Sequence, residues 1–102
     1  MKFKITEKIL DYDGKELVEN KETLTWRKVI YVALNTHVQG NSLTPVDSML
    51  SYAITKKAFD SEEIDLSSEE INHLIKRVKI VYNPLVIGRA VEFFEKKVIT
   101  NV

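Results

Sequence analysis

The chain has 102 residues, 44% of them hydrophobic, and its 15 Lys and Arg balance 15 Asp and Glu to a formal net charge of +0. A chain of this length holds one core with no room for a second domain, and a neutral balance supplies no global field toward nucleic acid or anionic lipid. Zero cysteines exclude a disulfide framework, a thiolate zinc site and a cysteine nucleophile, which suits a reducing cytosol.

Charges interrupt the apolar residues of Met1-Lys2-Phe3-Lys4-Ile5-Thr6-Glu7-Lys8, so the continuous apolar region of a signal peptide is missing. No run approaches the roughly 20 apolar residues of a membrane span, and the expected location is the cytoplasm. Phe3, Ile5 and Ile9 fall on odd positions, the period of a half-buried strand. Asp13-Gly14 is a strong hairpin signal, because glycine accepts the positive φ of a type I′ turn, and Lys15-Glu16-Leu17-Val18 is placed to return antiparallel. Such a hairpin over residues 1–18 is marginal alone in water and is expected to lie against helices.

Glu19-Asn20-Lys21-Glu22 is polar and reads as a loop, after which Thr23 or Thr25 caps a helix with Trp26, Val29, Ile30, Ala33 and Leu34 on one face. That helix should stop before Gly40-Asn41. Thr44-Pro45-Val46-Asp47 supplies an N-cap, a proline at N1 and a first-turn carboxylate for a second helix. Val46, Met49, Leu50, Ala53, Ile54 and Ala58 then follow at helical spacing and are expected to form its buried stripe. Asp60-Ser61-Glu62-Glu63-Ile64-Asp65 reads as an acidic connector pinned by Ile64 and Leu66.

Leu66-Ser67-Ser68-Glu69-Glu70-Ile71 is a capping box with Ser67 as N-cap and Glu70 at N3, framed by Leu66 and Ile71 as a hydrophobic staple. The third helix carries Ile71, Leu74, Ile75, Val78 and Tyr82; Arg77 to Tyr82 also alternates like a strand, but the unbroken stripe favours helix. Asn83-Pro84 opens a fourth helix to about Lys97, with Ile87, Val91, Phe94 and Val98 on one side and Val86, Ala90 and Phe93 beside them. Its wide apolar arc implies a central place, and Gly88 would admit a close backbone neighbour. The predicted fold is α+β, mainly α: four short helices over residues 23–98 with the hairpin packed on them, in a single domain of residues 1–102.

Little in the sequence carries chemistry. His37 suits a helix C-terminus, and His73, off the apolar stripe, reads as exposed. Neither has a second metal ligand at i, i+4, so no metal and no cofactor are expected. Asp11-Tyr12-Asp13-Gly14 places two carboxylates where turn residues belong, and Ser42, Ser48 and Ser51 have no visible base. No catalytic residues are assigned, and an enzyme is disfavoured. Asp60, Glu62, Glu63 and Asp65 form the densest charge feature, although a calcium loop fails at Ile64 and for want of a central glycine. These four, with Tyr31, Tyr52 and Phe59 at the rims of their helices, are the candidate partner-binding residues. Lys76, Arg77 and Lys79 are the alternative, a phosphate-contacting helix face, disfavoured for lack of excess positive charge.

The capping box, Ile75-Lys76-Arg77-Val78 and Tyr82-Asn83-Pro84-Leu85-Val86-Ile87-Gly88 together resemble the C-terminal half of small uncharacterised proteins of tailed bacteriophages and prophages. The resemblance rests on cap and core residues, covers most of the chain and brings no catalytic residue; Arg89 and Phe93-Phe94 have no counterpart in it. It implies an accessory protein in a bacterial cytoplasm that inhibits or regulates a host or phage factor. The expected function is therefore noncatalytic protein–protein interaction, with an unidentified protein partner or by self-association, and a small nucleic-acid-binding regulator is the alternative.

Overall fold

Side-chain caps set the helix starts. In the computed structural model, described over residues 1–96, Thr25 opens α1 (Trp26–Asn35) by accepting from the Lys28 N–H, and Thr44 opens α2 (Pro45–Phe59) by accepting from the Asp47 N–H at 3.1 Å. Ser67 opens α3 (Ser68–Val81), with both halves of the capping box formed: its hydroxyl accepts from the Glu70 N–H at 3.2 Å, and the Glu70 carboxylate accepts from the Ser67 N–H at 2.9 Å. Asn83 opens α4 (Pro84–Phe94) by accepting from the Val86 N–H. Residues 77 to 81 belong to α3, so the stripe outweighs the strand-like alternation.

Four helices and two small antiparallel sheets make an α+β, mainly α fold among the described residues. The first sheet joins distant parts of the chain. β1 (Lys2–Lys4) pairs with β4 (Glu63–Asp65), with Phe3 opposite Ile64 and both buried. Lys2 faces Asp65 and Lys4 faces Glu63 across the ladder, so a Lys-Phe-Lys strand meets a Glu-Ile-Asp strand of matching alternation and opposite charge. Half of the acidic connector is therefore a strand, while Ile64 and Leu66 are buried as expected.

Phe3 thus finds its partner outside the expected hairpin, which is confined to the chain around the Asp13-Gly14 turn. Leu10 bridges Glu16, and the Leu17 N–H donates to the Ile9 carbonyl at 2.8 Å. The turn is wider than two residues: the Asp11 carboxylate accepts from the Asp13 and Lys15 N–H groups, each at 3.1 Å, and Gly14 takes φ 85°. The two-residue type I′ turn lies instead at Asn20-Lys21, with φ 52° and 66°, between β2 (Val18–Glu19) and β3 (Glu22–Thr23).

α1 buries the five residues expected of it and packs against α2 and α3; α3 also packs against α4. The central helices are thus α1 and α3. α4 flanks α3, buries Val86, Ala90 and Phe94, and ends at Phe94, several residues before Lys97. Lys97 and Val98 lie outside the described residues. Among the described residues nothing lies within 4 Å of where a Gly88 side chain would begin, so the glycine serves no close backbone approach there. α4 contributes rings to the core: Phe93 stacks on Trp26 at 4.8 Å between centroids, and Phe94 meets Phe3 and Trp26 edge-on at 5.1 and 5.2 Å.

Only the later part of the stripe expected on α2, Ile54 and Ala58, is buried. Ser51, Ile54 and Ala58 face the core, Leu50 is half-buried, and Val46, Met49 and Ala53 point to solvent. α2 has apolar residues on two sides, so spacing alone could not choose which side turns inward. The inward side is fixed by Ile54 and Ala58, with the Ser51 hydroxyl bonded to His73 of α3.

Candidate functional site

The outward side of α2 is the most distinctive surface. Val46 is 69% exposed, Met49 73%, Tyr52 67% and Phe59 68%. Steps of three and seven residues place them, with exposed Ala53, along one side of the helix. Asn35 of α1 donates to Thr55 of α2 at 3.1 Å, aligning the two helices so that Tyr31, one turn earlier on α1, comes beside Phe59, one turn later on α2. Tyr31 and Phe59 line the same open groove of about 580 Å³, bounded also by Glu22, Thr23 and Lys28. Tyr31, Tyr52 and Phe59 are thus the exposed rings anticipated from their rim positions. Val46, Met49 and Ala53 extend the patch and were hidden in the sequence, because their spacing is equally that of a core stripe.

The acidic connector is divided by the fold. Asp65 accepts from the Met1 ammonium at 2.8 Å, and that hydrogen bond, with the charge behind it, holds its carboxyl below the ordinary range. Glu63 lies across from Lys4. Asp60 is the exposed C-cap of α2, and Glu62 is exposed while its carbonyl receives the Ile5 N–H. Partial burial pushes the Glu70 carboxyl up, but the Ser67 N–H and the Lys57 ammonium at 2.9 Å outweigh it and leave the carboxyl below its ordinary value.

Arg77 is not a phosphate ligand in this fold. It is 2% exposed, and its guanidinium donates to the Ala33 carbonyl at 3.0 Å and the Thr36 carbonyl at 2.6 Å, closing the C-terminal end of α1. All three arginines of the chain do similar work. Arg27 donates to the Ala58 carbonyl in the last turn of α2 and to the Ser61 carbonyl just beyond it, and Arg89 donates to the Leu10 carbonyl at 3.0 Å and the Asp11 carbonyl at 2.7 Å. The planar fork suits a pair of carbonyls, a geometry the lysine ammonium lacks. Lys76 and Lys79 remain exposed.

His73 is buried, contrary to the expectation from its place off the stripe, and its Nε2 lies 2.7 Å from the Ser51 Oγ. Desolvation lowers its pKa, opposed by the charge of Asp47, and the ring is neutral at physiological pH. Such a contact resembles a nucleophile and its base, but Ser51 and His73 are only 3% and 7% exposed, and the pair ties α2 to α3 inside the protein. His37 is exposed after α1. Asp11 and Asp13 belong to one turn: their mutual hydrogen bond lowers the pKa of Asp11 and raises that of Asp13. Among the described residues no group of three or more His, Asp or Glu side chains is arranged to hold a metal ion, and no helix is long and apolar enough to cross a membrane. No protein-family model matches the chain, and neither a curated protein nor a solved structure resembles it significantly.

Proposed function

We propose that this chain is a noncatalytic accessory protein that docks a protein surface on the outward side of α2. In keeping with its resemblance to tailed-phage and prophage proteins, it acts in the cytoplasm of a bacterial host as an inhibitor or regulator. The observation that carries this is the row Val46, Met49, Tyr52 and Phe59, each about two-thirds or more exposed on a helix whose other side already fills the core. Large apolar side chains exposed in one contiguous row are characteristic of interaction surfaces, with aromatics and methionine the residues that interfaces favour. Asp60 and Glu62, exposed near the end of the row, form a charged rim that steers a basic partner. The nucleic-acid alternative depends on Lys76, Arg77 and Lys79, and Arg77 is committed to α1.

Met49→Glu and Tyr52→Glu test this. Both side chains are exposed, so the thermal midpoint should hold while the complex recovered from host extract is lost. Recovery of the same complex by both variants would place the docking surface elsewhere.

A further inference from the structure

The geometry points to a second copy of this chain as the occupant of that face, with α2 lying antiparallel on its own copy about a two-fold axis beside Tyr52 and Ala53. This rests on the reading of α2 as a docking surface and names the partner. An antiparallel pair centred between residues 52 and 53 sets Tyr52 against Ala53 of the copy, Phe59 against Val46, and Lys56 against Met49, with each relation repeated by symmetry. Size matches size. The largest ring of the row meets its smallest residue, and Ala53 lets the helix axes approach to the roughly 8–10 Å of close helix packing.

Charge matches as well. Asp60 is an exposed carboxylate at the C-cap of α2, the end where the helix's own dipole disfavours an anion. In the antiparallel pair it lies beside Pro45 of the copy, at the positive end of the copy's α2, so that a mismatch within one chain becomes an attraction between two. The Lys56 ammonium stands 5.9 Å from the Tyr52 ring centre, which leaves its aliphatic stem to cover Met49 of the copy. Phe59 shares its groove with Tyr31, so Val46 of the copy arrives at the groove mouth. Exposed by half to nearly three-quarters, Tyr31, Val46, Met49, Tyr52 and Phe59 offer roughly 600–700 Å² of side chain. That is near the ~800 Å² per partner of a standard interface and at or above the top of what monomers leave in one apolar patch.

The purified 102-residue chain, taken from low micromolar to near millimolar in sedimentation equilibrium, should reach twice the mass of one chain. Met49→Glu and Tyr52→Glu should each weaken the dimer by about tenfold or more while leaving circular dichroism unchanged. Because the chain has no cysteine, single introduced thiols report the register. Ala53→Cys should oxidise rapidly to a covalent dimer. Val46→Cys should not, since thirteen residues of helix separate Val46 from its partner Phe59, placing the two Val46 positions about 20 Å apart, beyond the ~7 Å that a disulfide spans. Cross-linking at both positions means a parallel pair and overturns the proposal, as does cross-linking at neither. A chain that stays monomeric throughout, yet captures another protein in a manner dependent on Met49 and Tyr52, overturns the dimer and keeps the docking reading. A dimer indifferent to both substitutions forms through another surface and overturns the proposal.

Discussion

Burial holds the His73 imidazole below its ordinary value near 6.5, whereas in the unfolded chain the ring titrates at that value. On acidification the unfolded chain therefore takes up the proton first, and the native state loses stability as the pH falls below the ordinary value toward the folded one. The thermal midpoint should drop between about pH 7 and pH 5.5, and His73→Gln, whose amide can still bond Ser51, should flatten that dependence. An equally steep slope in the variant would assign the titration to another group. A second buried polar atom has the opposite lesson. The Tyr82 hydroxyl is buried without a hydrogen-bond partner among the described residues, and burial, with Glu19 nearby, pushes its pKa up to about 12. Removing an unsatisfied hydroxyl relieves a desolvation cost, so Tyr82→Phe should raise stability by about 1 kcal/mol in denaturant unfolding. A comparable loss would mean that the hydroxyl is bonded.

Helix α4 carries an internal glycine, Gly88, that no neighbour among the described residues requires. Gly88→Ala should stabilise by about 0.5–1 kcal/mol, since the methyl group meets open space and the unfolded chain loses freedom; a lowered midpoint would show that the site is crowded. The helix starts were legible in the sequence because a cap and the N–H that it accepts from are three residues apart, as with Ser67 and Glu70. Strand pairing was not. Lys2-Phe3-Lys4 has the alternation of a strand, but its hydrogen-bonding partner lies some sixty residues away at Glu63–Asp65, and periodicity is silent about distance. The turn at Asn20-Lys21 escaped because lysine seldom adopts positive φ, whereas Asp13-Gly14 advertised itself through glycine. The docking face escaped for another reason: Val46, Met49 and Ala53 share the spacing of a core stripe, and the side chain that anchors the true inner side, Ser51, reads as polar until His73 is found against it.

At the scale of the whole molecule the cations fall into two groups. The arginines are fastened to backbone carbonyls, and the exposed positive charge is carried by lysines in a chain of formal net charge +0. Labelled duplex DNA should therefore show no appreciable binding at physiological salt; micromolar binding that weakens on charge reversal at Lys76 and Lys79 would restore the nucleic-acid reading. The long-range ties of the first residues have a further consequence, for synthesis. Phe3 packs on Ile64, Phe93 and Phe94 territory, pairing across from the first and meeting the rings of the other two at 5.7 and 5.1 Å, while Leu10 and Asp11 are clasped by Arg89. This segment leaves the ribosome well before α4 and is thus among the last to find its place. At about 5–20 residues per second it waits for several seconds or more, its apolar side chains uncovered, until the helix that completes the core has cleared the exit tunnel.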